Sequence, residues 1–111
     1  MASDGDRGLE SFGRYADPAL VVMTSLSAGP RHGYAIIQDV VDMGGPRLRP
    51  GTLYAVLARL EERGLIEALE PDERRRPYRL TGAGAAALRV QLEHLQRVAE
   101  RGLARLQAAT A

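Results

Sequence analysis

The chain has 111 residues, room for one small domain, and its 45% hydrophobic and 26% charged residues give a balance that folds rather than stays disordered. Cysteine is absent, which excludes disulfides, thiol nucleophiles and thiolate metal sites and fits a reducing cytoplasm. The net charge of +1 announces no nucleic-acid partner by itself, and the longest apolar run, Ala19 to Met23, is far too short to span a membrane.

Residues 1–16 read as a flexible polar arm without a signal peptide, in which Leu9 and Phe12 are the residues able to dock. Asp17-Pro18 predicts the start of a first helix over 18–27. Asp17 caps open backbone amides, and Pro18 has no amide proton to leave unpaired. This segment is apolar nearly all round, which calls for burial at the centre, and Gly29-Pro30 stops it. A second helix is expected from Gly33 to Met43, with Ile36, Ile37, Val40 and Val41 inward and Gln38, Asp39 and Asp42 outward. Gly44-Gly45-Pro46 ends it. A third helix is expected from Pro50 to Arg63. Leu53, Val56, Leu57 and Leu60 repeat at helical spacing, and Gly64-Leu65 is a stop signal.

Two strands, Leu65–Glu70 and Pro77–Thr81, are predicted to form a hairpin around the charged stretch from Pro71 to Arg76. Thr81 can cap a long last helix over roughly residues 82 to 109, about 40 Å in length. Gly82 and Gly84 weaken its first turn. Its apolar positions Ala85, Leu88, Leu92, Leu95, Ala99, Gly102, Leu106 and Ala109 follow a strict heptad spacing.

The fold class this order implies is mainly α with a small β-hairpin, a winged helix-turn-helix over residues 17–81 followed by a dimerisation helix over 82–111. In such a fold the third helix enters the major groove by its N-terminal end and the hairpin lies over the backbone or the minor groove. All 15 basic residues are arginine, suited to phosphate and guanine, but the codon bias of an Ala/Arg-rich genome is the better account of this, so the absence of lysine carries little weight. The candidate DNA contacts are Arg49, Gly51, Thr52, Tyr54 and Arg59 on the third helix and Arg74, Arg75 and Arg76 at the hairpin tip, with Arg79 completing the arginine run. Gly51 allows close backbone approach. The plain alternatives are that Thr52 only caps, Tyr54 only packs and the arginines only meet solvent. A domain of this size cannot cover the last helix, so a second copy is expected along Leu88, Leu92, Leu95, Ala99, Gly102 and Leu106, with Ala99 and Gly102 allowing close approach. His32 and His94 lack acidic partners at metal spacing, so no metal, cofactor or catalytic residue is expected, and His32 reads as a structural hydrogen-bonder. A protein-interaction module built on the same helices remains open, because the overall charge is near neutral.

Gly29-Pro30-Arg31-His32-Gly33-Tyr34-Ala35-Ile36, Pro50-Gly51-Thr52-Leu53-Tyr54, Leu57 to Ile66, and Arg76-Pro77-Tyr78-Arg79-Leu80-Thr81 occur in this order. Together they resemble the PadR family of bacterial transcriptional regulators, across roughly residues 18 to 107. The resemblance implies a winged-helix homodimer on double-stranded operator DNA, a repressor released by a small-molecule effector. It places Gly51, Thr52 and Tyr54 in the major groove and Arg75 and Arg76 in the wing. Glu73 and Arg74 stand where the family often has glycine and lysine. The tryptophan with which some members hold flat aromatic drugs has no counterpart, since the chain contains none.

Overall fold

Each helix begins where a local chemical signal puts it. The structure, a computed structural model, describes residues 17–110, so the arm expected over residues 1–16 lies outside the described residues. Helix α1 (Pro18–Leu26) starts as Asp17 Oδ1 accepts from the Ala19 amide at 3.0 Å. It packs against the next two helices, the last helix and the central strand, and buries Val22 and Leu26 almost completely.

A two-residue strand, β1 (Arg31–His32), follows, and the hairpin reading did not include it. Helix α2 (Gly33–Asp42) buries Ile36 and Val40, while Ile37 is half-buried. Asp39, expected to face out, is also half-buried. It lies 3.8 Å from Arg31 Nε, which donates to the Ser25 carbonyl at 3.2 Å. Arg31 thus ties β1 to both helices. Helix α3 (Pro50–Glu62) turns Leu53, Val56, Leu57 and Leu60 into the core, each at most 5% exposed. Leu48, between two exposed arginines, joins that core.

Helices α2 and α3 end alike. The Gly45 amide donates to the Val40 carbonyl at 2.8 Å and the Leu65 amide to the Leu60 carbonyl at 2.9 Å. Gly44 (φ +94°) and Gly64 (φ +73°) take the left-handed conformation these closures need.

Strands β2 (Ile66–Ala68) and β3 (Pro77–Leu80) are shorter than expected, because Leu65 is used in closing α3 and Thr81 in capping the last helix. The sheet is antiparallel, in the order β1-β3-β2, with Arg31 opposite Tyr78 and Ile66 opposite Leu80. The expected two-stranded hairpin is therefore the larger part of a three-stranded sheet. Two residues carry no alternation pattern, so only the long-range pairing with β3 makes β1 a strand.

Thr81 caps helix α4 (Gly82–Thr110): its hydroxyl accepts from the Gly84 amide at 3.0 Å and donates to the Gly64 carbonyl at 2.7 Å. Only Gly84 and Leu88 of α4 are buried. Leu88, expected on the dimer seam, instead belongs to the protomer's own core at 5% exposure. No helix among the described residues is long and apolar enough to cross a membrane.

Candidate nucleic-acid interface

The start of α3 is chemically open. Arg49 precedes it in an extended conformation, and no side chain caps the helix. Pro50 has no amide proton, and the Leu53 amide is the first to find a backbone carbonyl, that of Arg49 at 2.9 Å. The amides of Gly51 and Thr52 therefore point out of the helix end, where its partial positive charge attracts anions. Thr52 is exposed and does not serve as the cap. A Cβ at Gly51 would meet nothing within 4 Å, so close approach at Gly51 is not to any of the described residues.

Tyr54 projects from the same end and is 53% exposed. Its hydroxyl leans on Gly33, where a Cβ would stand only 2.6 Å away. The glycine lets this tyrosine cross from α3 to the start of α2. Beneath it lies Tyr78 of β3, whose phenol is pushed up by burial and by the nearby Glu61 and Tyr54. It stays a neutral hydroxyl between α3 and the sheet.

The hairpin tip is a tight turn closed by two backbone hydrogen bonds between Asp72 and Arg75, at 2.7 and 2.8 Å. Glu73 (φ +48°) and Arg74 (φ +73°) both adopt the left-handed conformation that glycine and asparagine prefer in such turns. The four arginines fare differently. Arg79 pairs with Glu67 across the strands, so it is held by protein. Arg76 donates to the Leu69 carbonyl at 3.3 Å, and Arg75 approaches His32 at 3.3 Å. Arg74, at the tip, forms no hydrogen bond or ion pair among the described residues.

Between tip and helix runs a groove of about 300 Å³ whose walls include Tyr34, Tyr54, Arg74, Arg75 and Arg76, with no carboxylate among the described residues of its lining. The structure thus gathers four of the sequence-predicted contacts around one groove. Arg49, Gly51 and Thr52 are exposed at the neighbouring helix start. Arg59 stands apart, one to two turns along α3, beside a separate small hollow with Asp17 and Arg63. Sequence reasoning missed Tyr34, 75% exposed on α2, although it stands in the quoted Gly33-Tyr34 motif. Among the described residues, no group of three or more histidine or acidic side chains could hold a metal ion.

Holding Arg74 in the left-handed region costs roughly 1 kcal/mol. Arg74→Gly is expected to raise the unfolding free energy by about 0.5 kcal/mol, since glycine also loosens the unfolded chain. The same change is expected to weaken DNA binding. Urea denaturation at fixed protein concentration and a DNA titration read the two effects separately.

The transcriptional regulator PadR-like family matches residues 22–90. An uncharacterized 37.1 kDa protein in transposon TN4556 of Streptomyces fradiae is 41% identical over 88 residues, covering 79% of this chain and 26% of its own length. The transcriptional regulator YqjI of Escherichia coli is 31% identical over 103 residues, 91% of this chain and 49% of that protein. The chain therefore spans about a quarter to a half of the length of these curated relatives. Among solved structures, a PadR family transcriptional regulator from Eggerthella lenta superposes with a TM-score of 0.68 at 30% identity, covering 92% of this chain and 94% of that one. Family match, sequence relatives and fold agree: the chain belongs to the PadR-like family of transcriptional regulators.

Proposed function

We propose that the protein is a sequence-specific DNA-binding regulator that works in the cytoplasm as a homodimer and represses its target until a small molecule releases it. One observation carries the DNA part. The Tyr54 hydroxyl and the arginines of the tip line one groove with no carboxylate among the described residues, and the open amides of Gly51 and Thr52 lie at the helix start from which Tyr54 projects. In this reading α3 enters the major groove by its N-terminal end. Thr52 and Tyr54 meet base edges or phosphates, and Arg49 and Arg59 flank them on the backbone. Arg74, Arg75 and Arg76 follow the phosphates under the wing.

The dimer part is supported by α4. Beyond Leu88 every described residue is exposed, including Leu92, Leu95 and Leu106 at heptad spacing. Such a stripe is covered in water by a second copy, with Ala99 and Gly102 permitting close approach. The effector part is supported by a hollow of about 360 Å³ at the base of α4. It combines apolar Leu80, Leu88 and Leu92 with charged Arg89 and Glu93, a lining suited to a small amphipathic molecule. An occupant there adjoins the seam and bears on the spacing of two DNA-reading helices.

The test is fluorescence anisotropy of a labelled duplex from DNA upstream of the protein's own gene, against a scrambled duplex, over a salt series. Tight, salt-sensitive and sequence-selective binding is expected. Equal weak binding to both duplexes, with no bound site recovered genome-wide, turns the reading toward protein interaction. Tyr54→Ala is expected to weaken operator binding about tenfold, the loss of one or two hydrogen bonds, while light scattering still reports a dimer. Unchanged affinity removes Tyr54 from the interface.

A further inference from the structure

His32 faces two partners with one ring. Its Nδ1 accepts from the Ala35 amide at 3.4 Å and so caps α2, while its Nε2 lies 3.3 Å from the Arg75 guanidinium. A neutral imidazole has one accepting nitrogen and a protonated one has none. Both contacts cannot be hydrogen bonds to the ring at once. The Ala35 amide is fixed in the first turn of a helix and is part-buried, whereas Arg75 is exposed on a long side chain. The cap takes the acceptor. The ring is then the neutral tautomer with its proton on Nε2.

Two N–H donors therefore stand against each other at the mouth of the groove, with no acceptor between them among the described residues. Asp72 and Glu73 line the adjoining hollow beside the pair, yet neither forms an ion pair with Arg75 among the described residues. His32 is also paired by its backbone to Pro77 of β3, so the ring is held in fixed relation to the wing. Paired donors of this kind are completed by an anionic oxygen, and among the described residues the groove they open onto is lined by arginine and tyrosine without a carboxylate.

We propose that His32 Nε2–H and Arg75 together bind one backbone phosphate of DNA, which makes His32 a DNA contact as well as a helix cap. This rests on the DNA-binding reading above and adds a phosphate site to it. The ring contributes a donor without a charge, so it binds phosphate without adding to counterion release. Arg75 supplies that part.

The test separates cap from contact. Asparagine is also a good N-cap, so His32→Asn keeps the helix start and removes the Nε2 donor. The expected result is an unchanged thermal midpoint, a roughly tenfold weaker Kd for the duplex and an unchanged salt slope. Arg75→Ala, carried by both protomers of the dimer, is expected to weaken binding and to lower the salt slope by about 1.8, and the double variant to lose less than the product of the two. A neutral methylphosphonate at the contacted phosphate of each half-site, which removes the charge and one of the two free oxygens, is expected to narrow the difference between wild type and His32→Asn. Wild-type affinity in His32→Asn overturns the inference and leaves DNA binding standing. If wild type shows no salt-sensitive binding, the DNA-binding reading itself falls, and this site with it. If His32→Asn does not fold, 15N NMR of the wild-type ring decides. A protonated Nε2 that shifts on adding the duplex supports the site, and a protonated Nδ1 or an unmoved Nε2 overturns it.

Discussion

Leu95→Glu is expected to turn the protein into a monomer and to cost at least a hundredfold in operator affinity. Leu95 is 45% exposed on α4 and lies in register with Leu92 at 39% and Leu106 at 65%. In a two-fold dimer the substitution sets two carboxylates against each other in an apolar seam, a desolvated like-charge pair with no compensation. The loss in DNA binding is larger than any single contact supplies, because each protomer then binds one half-site without the second tethered beside it. Tethering of this kind contributes on the order of a hundredfold or more. The protomer itself is expected to stay folded, since Leu95 takes no part in its core. Circular dichroism checks the fold, light scattering the mass and anisotropy the affinity. Leu88 is the internal control: it follows the same heptad but is buried in the protomer, so a charge there should unfold the chain rather than only divide it. A Leu95→Glu protein that remains dimeric places the seam elsewhere.

Gly84→Ala is expected to destabilise the fold by about 3 kcal/mol, against the helix propensity that favours alanine by roughly 1 kcal/mol. A Cβ at Gly84 would stand 1.9 Å from the Leu65 carbonyl oxygen and 2.9 Å from Leu80 Cδ1. The carbonyl cannot easily retreat. It accepts from the Thr81 amide at 3.1 Å, and the Leu65 amide is held by the Leu60 carbonyl at 2.9 Å. One glycine therefore sets how closely α4 passes the end of α3. Gly82, two residues earlier, meets nothing within 4 Å. Gly82→Ala is expected to leave stability equal or slightly raised, and urea denaturation of the two variants side by side gives the comparison. Equal stabilities would show that α4 shifts freely on the wing.

These two residues illustrate where sequence stops. Read by propensity, Gly82 and Gly84 look alike, two weak positions at a helix start, and only the passing carbonyl of Leu65 distinguishes them. Leu88 and Leu92 look alike in the heptad for a similar reason. Periodicity tells which face of a helix is apolar, and it does not tell what covers that face. The arginine run reads as four equal charges, yet the strand register puts Arg79 opposite Glu67, while Arg74 at the tip pairs with nothing among the described residues.

What the sequence determined by itself was everything governed by neighbours along the chain. The caps at Asp17 and Thr81, the stops at Gly44 and Gly64 and the inward stripe of α3 each act within a turn or two, so the residues involved are close enough to be read together. The tertiary structure decided what depends on residues far apart. It made Arg31–His32 a strand by pairing it with β3, brought Tyr54 onto Gly33, and set His32 against Arg75 across 43 positions of sequence. Such contacts form only when loops close and distant elements pack, and no local pattern in the chain records which partners then meet.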